Sequence, residues 1–303
     1  MLEAAPLLML TTANKMAIAR TLYRLVHAFR LLFGGNDLVR VRRRGVAWDL
    51  DLREGIDLTI YTLGAFERST LRALESLVEE GDTVLDIGAN IGAHTLHLAR
   101  LVGERGRVYA FEPTDFAVAK LRANLKANPA LESRVEVQQA FLVEDSDQAL
   151  AGTLASSWPV DGTVPDHAQM GSRSMAASGA LAVTLDSAME AAGSPKVRLI
   201  KLDVDGHELE VLKGGRRLLA RDRPIVVMEL APYVFQPSEK FDEMIHLLVE
   251  AQYRFRSLKS SRELPRHPVA LRAMISHEAS VNVVAFPGGP PPLSGRPDRP
   301  VAV

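Results

Sequence analysis

The sequence predicts an α/β fold: a mostly parallel, seven-stranded sheet with helices on both faces, preceded by a helical and strand-containing N-terminal extension. Three observations predict it. Between residues 67 and 286, short apolar runs alternate with amphipathic helical segments, and strands apolar along their whole length are those covered on both faces. A glycine turn, Asp86-Ile87-Gly88-Ala89-Asn90-Ile91-Gly92, stands between a strand and a helix. Ionisable residues gather at the ends of later strands, at Glu112, Lys201 to Glu208 and Glu229, where open α/β sheets bind ligands.

Taken in order, residues 14–33 read as a helix that Gly34-Gly35-Asn36 terminates. Its leucines and aromatics fall on one side and its arginines elsewhere. A packing or homodimer helix is the first reading and a membrane-surface helix the second. Residues 38–63 alternate apolar and polar positions around Trp48, Leu50 and Leu52, which predicts a short antiparallel layer with Arg40, Arg42 and Arg44 on one strand face. Glu67 to Glu80 carry leucines at 71, 74 and 77, the spacing of a helix, and Gly81-Asp82 breaks it. Thr83–Ile87, Arg107–Phe111 and Val135–Gln139 predict strands, with helices over Gly92–Val102 and Asp115–Asn128 between them.

Residues 144–180 interrupt this rhythm with Ser, Gly, Ala and Pro. A structureless stretch of that length predicts a functional or disordered loop. Val197–Leu202 resumes the sheet, followed by a helix over Glu208–Leu219, a strand over Pro224–Leu230 and a helix over Lys240–Ala251. Final strands lie near Tyr253–Leu258 and Val281–Phe286. The expected domains are an extension over 1–66, a core over 67–286 with a variable substrate segment at 144–180, and a disordered Pro/Gly-rich tail over 287–303.

Composition narrows the function classes. Among 303 residues, Lys+Arg 36 against Asp+Glu 37 leave a formal charge of -1, so nothing global favours nucleic acid as a partner. The basic residues are unevenly spread. Residues 1–45 hold Lys15, Arg20, Arg24, Arg30, Arg40, Arg42, Arg43 and Arg44 against Glu3 and Asp37; a solvated face is one reading and an anionic partner the other. Absence of cysteine removes disulfides, thiolate metal sites and cysteine nucleophiles, and fits a reducing, cytoplasmic setting. No signal peptide and no transmembrane segment are expected, because Arg20, Arg24, His27 and Arg30 interrupt the most apolar stretch.

The glycine turn is not a dinucleotide fingerprint. That spacing, counted from Gly88, needs glycines at 90 and 93, where the chain has Asn90 and Ala93. A nicotinamide oxidoreductase is therefore a poorer match. Gly88 lets the backbone turn sharply toward a ligand, and Gly92 permits close helix packing. Asp86 at the start of the turn suits a cationic ligand, and S-adenosylmethionine brings an ammonium and a sulfonium. Glu112, ending the next strand, either accepts from ribose hydroxyls or caps the following helix. Ala140-Phe141 either lines an adenine or belongs to the core.

At the reaction end, Asp203 and Glu229 terminate neighbouring strands. They either hold Mg²⁺ through oxygen ligands or hydrogen-bond substrate and loop amides. His207 is the general-base candidate, since its ordinary pKa lies near neutrality. His94 and His97 read as helix-surface or packing residues, and His246, His267 and His277 have no strand-end context. Trp158 and Arg173 in the variable segment are candidates to cover an acceptor.

The ordered set Thr83-Val-Leu-Asp-Ile-Gly-Ala-Asn-Ile-Gly92, Ala110-Phe-Glu-Pro113, Ile200-Lys-Leu-Asp-Val-Asp-Gly-His-Glu208 and Glu210-Val-Leu-Lys-Gly214, with Gly64-Ala65-Phe66-Glu67 before it, resembles the FkbM family of S-adenosylmethionine-dependent methyltransferases. The resemblance runs from about residue 46 to 286 and implies a Rossmann-like class I methyltransferase fold. It implies Asp86, Gly88, Ala89, Asn90 and Gly92 around the methionine part of the cofactor. Glu112 and Pro113 would lie at the ribose, and Glu67 beside the transfer cleft. Asp205 stands where the family more often has glutamate. The expected activity is O-methylation of a small-molecule hydroxyl, on a natural product or sugar. A small-molecule N-methyltransferase and a non-catalytic cofactor-binding scaffold are the alternatives.

Overall fold

A computed structural model describes residues 12–147, 152–163, 172–276 and 279–288. The chain enters through α1 (Thr12–Leu32), which ends as Gly34 takes φ 72. Met16, Ala19, Leu22, Tyr23 and Val26 pack its inner side on the core, while Ile18, Leu25, Phe29 and Leu32 stay exposed. Asp37 secures the turn that follows, accepting from Tyr23 at 3.3 Å and pairing with His27 at 2.8 Å.

β1 (Leu38–Arg43) and β2 (Val46–Asp51) form the expected antiparallel pair, with Val46, Trp48 and Leu50 turned inward. The layer is shorter than the sequence suggested. Residues 55–63 form α2 (Gly55–Leu63), because Ile56, Ile60 and Leu63 recur at helical spacing and Asp57 stands in the first turn, where the helix end is positive. Arg44 is not on the strand: Arg44 and Gly45, both at positive φ, make the two-residue turn of the hairpin. Only Arg40 and Arg42 share the exposed face of β1.

The first half of the main sheet follows in the predicted order: α3 (Arg68–Leu77), β3 (Thr83–Ile87), α4 (Thr95–Leu101), β4 (Arg107–Phe111), α5 (Asp115–Lys126), a short α6 (Pro129–Glu132) and β5 (Val135–Gln138). β6 (Ala140–Leu142) then leaves the sheet. Of the segment at 144–180, residues 148–151 and 164–171 lie outside the described residues, and the rest is not structureless. It carries β7 (Thr153–Ser157) and β8 (Arg173–Ala176), an antiparallel pair, and β9 (Leu181–Val183) returns to run parallel with β6. The sequences Thr-Leu-Ala-Ser-Ser and Arg-Ser-Met-Ala lack the branched and aromatic runs that announce strands.

α7 (Leu185–Ala191) is capped by Thr184, whose Oγ1 accepts from the Ser187 N–H at 3.1 Å. After β10 (Val197–Leu202), the single helix expected to Leu219 is two, α8 (Glu208–Gly214) and α9 (Arg216–Asp222). Gly214 and Gly215 divide them, and a Cβ on Gly214 would stand 2.1 Å from the Val143 carbonyl oxygen. β11 (Ile225–Leu230), α10 (Glu239–Glu250), β12 (Tyr253–Ser257), α11 (Pro268–Met274) and β13 (Val281–Pro287) complete the chain. His277, and the expected tail from residue 289 onward, lie outside the described residues. No described helix is long and apolar enough to cross a membrane.

The seven strands lie in the order β12-β13-β11-β10-β3-β4-β5. β13 alone runs against its neighbours. Alternate residues feed two cores: Leu85 and Ile87 face one, Val84 the other. From β3 the chain proceeds outward through β4 and β5, then crosses to β10 and β11 on the other side. The switch point between β3 and β10 is where ligands bind such sheets.

Candidate active site

A cleft of about 600 Å³ opens over that switch point, a size ordinary for small-ligand sites. Glu67, Gly88, Ala89, Asn90, Glu112, Pro113, Ala140, Phe141, Asp203, His207 and Glu229 line it. Asp86 and Gly92 do not.

Asp86 has partners within the chain. It stands one residue short of the strand end, fully buried, and accepts from Thr95 Oγ1 at 2.6 Å. Its cation is a residue of the chain: Lys201, its register neighbour on β10, brings Nζ to 3.5 Å. Gly92, at φ 90, serves packing. A Cβ there would strike Leu96 and Leu121 at 2.5 and 2.6 Å. Gly88, at φ 77, is required for a different reason, since a Cβ would lie 1.8 Å from the Asp203 carbonyl oxygen. The two strand-end loops touch at backbone distance. Asn90 takes the left-handed φ of 47 that asparagine tolerates. Its N–H donates to Glu112 Oε2 at 3.0 Å and its side-chain amide to the Ser156 carbonyl at 3.3 Å.

Glu112 is nearly inaccessible. Oε1 accepts from Thr114 N–H at 3.0 Å and Thr114 Oγ1 at 2.6 Å, which fastens the turn before α5 without capping the N–H groups of the helix itself. Burial raises its pKa, and these hydrogen bonds oppose that rise. Each carboxylate oxygen accepts twice, which leaves Oε2 free for a ribose hydroxyl.

Carboxylates crowd the other end. Lys201 is 4% exposed and donates to the Gly88 carbonyl at 2.9 Å, with Asp203 Oδ2 at 3.6 Å. Burial works against its charge, but Asp203, Asp86 and Glu67 outweigh that and hold its pKa above the ordinary lysine value. Burial, then Asp203 and Glu67, push Glu229 up to about 8. Burial and Asp203 likewise raise Glu67 and Asp205. With its pKa at about 8, Glu229 holds its proton at pH 7, and a cationic ligand would draw it and the neighbouring carboxyls toward their charged forms. The cluster does not assemble a metal centre. Among the described residues no group of three or more His, Asp or Glu is placed to hold an ion, and Lys201 already neutralises Asp203. The expected Asp203–Glu229 pair for Mg²⁺ therefore lacks a third ligand, and EDTA treatment is expected to leave turnover unchanged within error, measured by methyl incorporation.

Glu208, pushed up to about 7 by burial, braces the loop between them. It accepts from the N–H groups of Val204 and Gly206, both at 3.1 Å. His207 is half-buried, with its ring edge-on to Phe141 at 5.0 Å. Burial lowers its pKa, against the nearby Glu210 and together with Lys240. The imidazole is neutral at pH 7.

Three features escaped sequence reading. Lys201 was signalled only by its position, a cation within an apolar strand, which must be paired. His94, expected on the helix surface or in packing, is 4% exposed and packs on Phe66; that it also lines the cleft was not foreseen, and its Nε2 has no hydrogen-bond partner among the described residues. Burial drives its pKa well down. His97 packs on Trp48, as expected of it. The third feature is how β7 and β8 are fixed. Glu54 accepts from Ser157 Oγ at 3.0 Å and the Trp158 N–H at 3.1 Å, and Thr114 and Ser156 hydroxyls meet at 2.7 Å. Trp158 reaches the cleft. Arg173 instead braces Glu54 at 3.8 Å. Glu54→Ala leaves these donors unpaired and is expected to cost about 1–3 kcal/mol, with a several-fold rise in acceptor KM, read by thermal melting and initial rates.

S-adenosylmethionine fits what is present: a cluster of carboxyls for its cations, a free carboxylate lone pair at Glu112, an apolar wall at Ala140 and Phe141, and the unpartnered His94 nitrogen. Fold and site together are of the class I methyltransferase type. Residues 86–255, more than half of the chain, match the Methyltransferase FkbM domain, and the chain belongs to that family. Hexuronic acid methyltransferase AglP of Haloferax volcanii is 30% identical over 171 residues, 53% of this chain and 61% of that protein. The chain thus matches about three fifths of the length of that relative. The crystal structure of Methyltransferase FkbM from Methylobacillus flagellatus KT is 17% identical, over 70% of this chain and 48% of that one, with a TM-score of 0.42. A SAM-dependent methyltransferase from Aquifex aeolicus is 18% identical, over 76% and 97%, with a TM-score of 0.38.

Proposed function

We propose that the protein methylates a hydroxyl oxygen of a small molecule, a natural product or a sugar unit, in a reducing, cytoplasmic setting. The observation that carries the reading is His207: a neutral imidazole on the cleft wall, beside the acid-rich strand ends. S-adenosylmethionine, when bound, supplies the methyl group as an electrophile. Gly88, Ala89 and Asn90 hold the methionine part, in a turn that Gly92 packs onto α4 and α5, Glu112 with Pro113 holds the ribose, and Ala140 with Phe141 the adenine. Glu67 borders the acceptor. His207 takes the hydroxyl proton as the oxygen is methylated, which a poorly acidic hydroxyl requires. Asp203, held by Lys201, orients the acceptor. The name of the Haloferax relative supports a sugar acid, and Lys15 at the cleft rim is placed to meet a carboxylate.

A second reading, small-molecule N-methylation, draws on the acidic surplus, which would also receive an ammonium. Incubation with labelled S-adenosylmethionine and separate pools of sugars, phenols and amines decides between them. An alkali-stable methyl ether is the expected product. Label only on amines, or an alkali-labile methyl ester, would remove the need for a base and sink the hydroxyl reading; binding without transfer to any pool would favour a scaffold.

A further inference from the structure

Exposed large apolar side chains are concentrated in one place. Of the ten among the described residues, seven fall between positions 18 and 38. Ile18, Leu25, Phe29 and Leu32 recur at helical spacing and form one stripe along α1, 57% to 78% exposed. Phe29 and Phe33 stack at 4.9 Å at its C-terminal end. A continuous exposed stripe of this kind marks an interaction surface. Lys15 and Arg24, on opposite flanks of the stripe, make no ion pair among the described residues. The opposite side of the helix packs on the core, and its Met16 and Ala19 line the cleft.

We propose that α1 is an interfacial helix that docks on an anionic membrane surface, so that the cleft opens beside that surface. Charge selects this occupant over a second copy of the chain. Residues 12–32 carry Lys15, Arg20, Arg24 and Arg30 and no acidic residue, while the chain as a whole carries -1; the arginines of the hairpin that follows are partly spent, Arg40 on Asp49 and Arg44 on Glu75. Two such segments laid face to face repel, whereas anionic head groups attract them. α1 is too short of apolar residues to cross the bilayer and has the form of a helix lying in its plane: apolar on one stripe, basic beside it. The proposal holds whatever the acceptor is.

The test uses the full chain with phosphatidylcholine vesicles, with and without phosphatidylglycerol, in a flotation assay. Wild type is expected to bind the anionic vesicles roughly tenfold better than the neutral ones, and less well at high salt. Leu25→Glu with Phe29→Glu should abolish binding while S-adenosylmethionine affinity is retained, which shows that the variant is folded. Arg24→Glu should weaken it. No binding by wild type, binding unchanged in the double variant, or a dimer in solution that the same substitutions split would each overturn the proposal.

Discussion

Lys201→Met is expected to destabilise the protein by roughly 3–5 kcal/mol, the usual cost of breaking a buried ion pair from one side. The lysine holds two carboxylates and a carbonyl in a space where it is 4% exposed. Methionine fills similar volume, so packing is not the cause. Asp86 would be left fully buried with Thr95 as its donor. At about 2–4 °C per kcal/mol for a chain of this size, the melting temperature should fall by about 10 °C. The loss should shrink on acidification. Burial already raises the Asp86 pKa, and without the lysine it rises further, so the native state binds a proton that the unfolded state does not. Stability then increases as pH falls through that pKa. Adding Asp86→Asn should recover part of the loss at pH 7. A melting temperature within about 2 °C of wild type would show that the pair carries little.

His207→Ala is expected to lower kcat by roughly 10²- to 10⁴-fold, the range for loss of a general base, with cofactor Kd unchanged. Because burial lowers the imidazole pKa, the ascending limb of the wild-type kcat/KM–pH profile, which reports the free enzyme, should lie below the ordinary histidine value of about 6.5. In the variant, solvent hydroxide must serve as the base, and residual activity should climb with pH instead of levelling. Undiminished turnover, or an unaltered pH profile, would assign the proton to another group.

The succession of strands and helices along the chain was legible because the central strands are mostly apolar and the helices keep their period, whereas the order in which the strands lie in the sheet is a tertiary fact. Sites on strand ends were legible for the same reason: Glu112, Asp203, His207 and Glu229 mark places where an apolar run stops. Residues acting across the sheet were not. Asp86 and Lys201 lie 115 positions apart and become partners only through the register of β3 with β10. Gly88 gave a turn signal, but the Asp203 carbonyl that forbids a side chain there is a tertiary fact. The β7–β8 pair was invisible because Glu54 and Thr114, both distant in sequence, hold it where its own residues would not. α2 was read as strand because alternation around Trp48 was carried too far past Leu52.

Asn90 connects two things that are usually separate. Its backbone N–H holds the Glu112 carboxylate proposed for the ribose, and its side-chain amide holds the β7–β8 pair through the Ser156 carbonyl. One residue therefore ties the carboxylate at the end of β4 to the segment that lies over the cleft, two parts of the chain that are far apart in sequence.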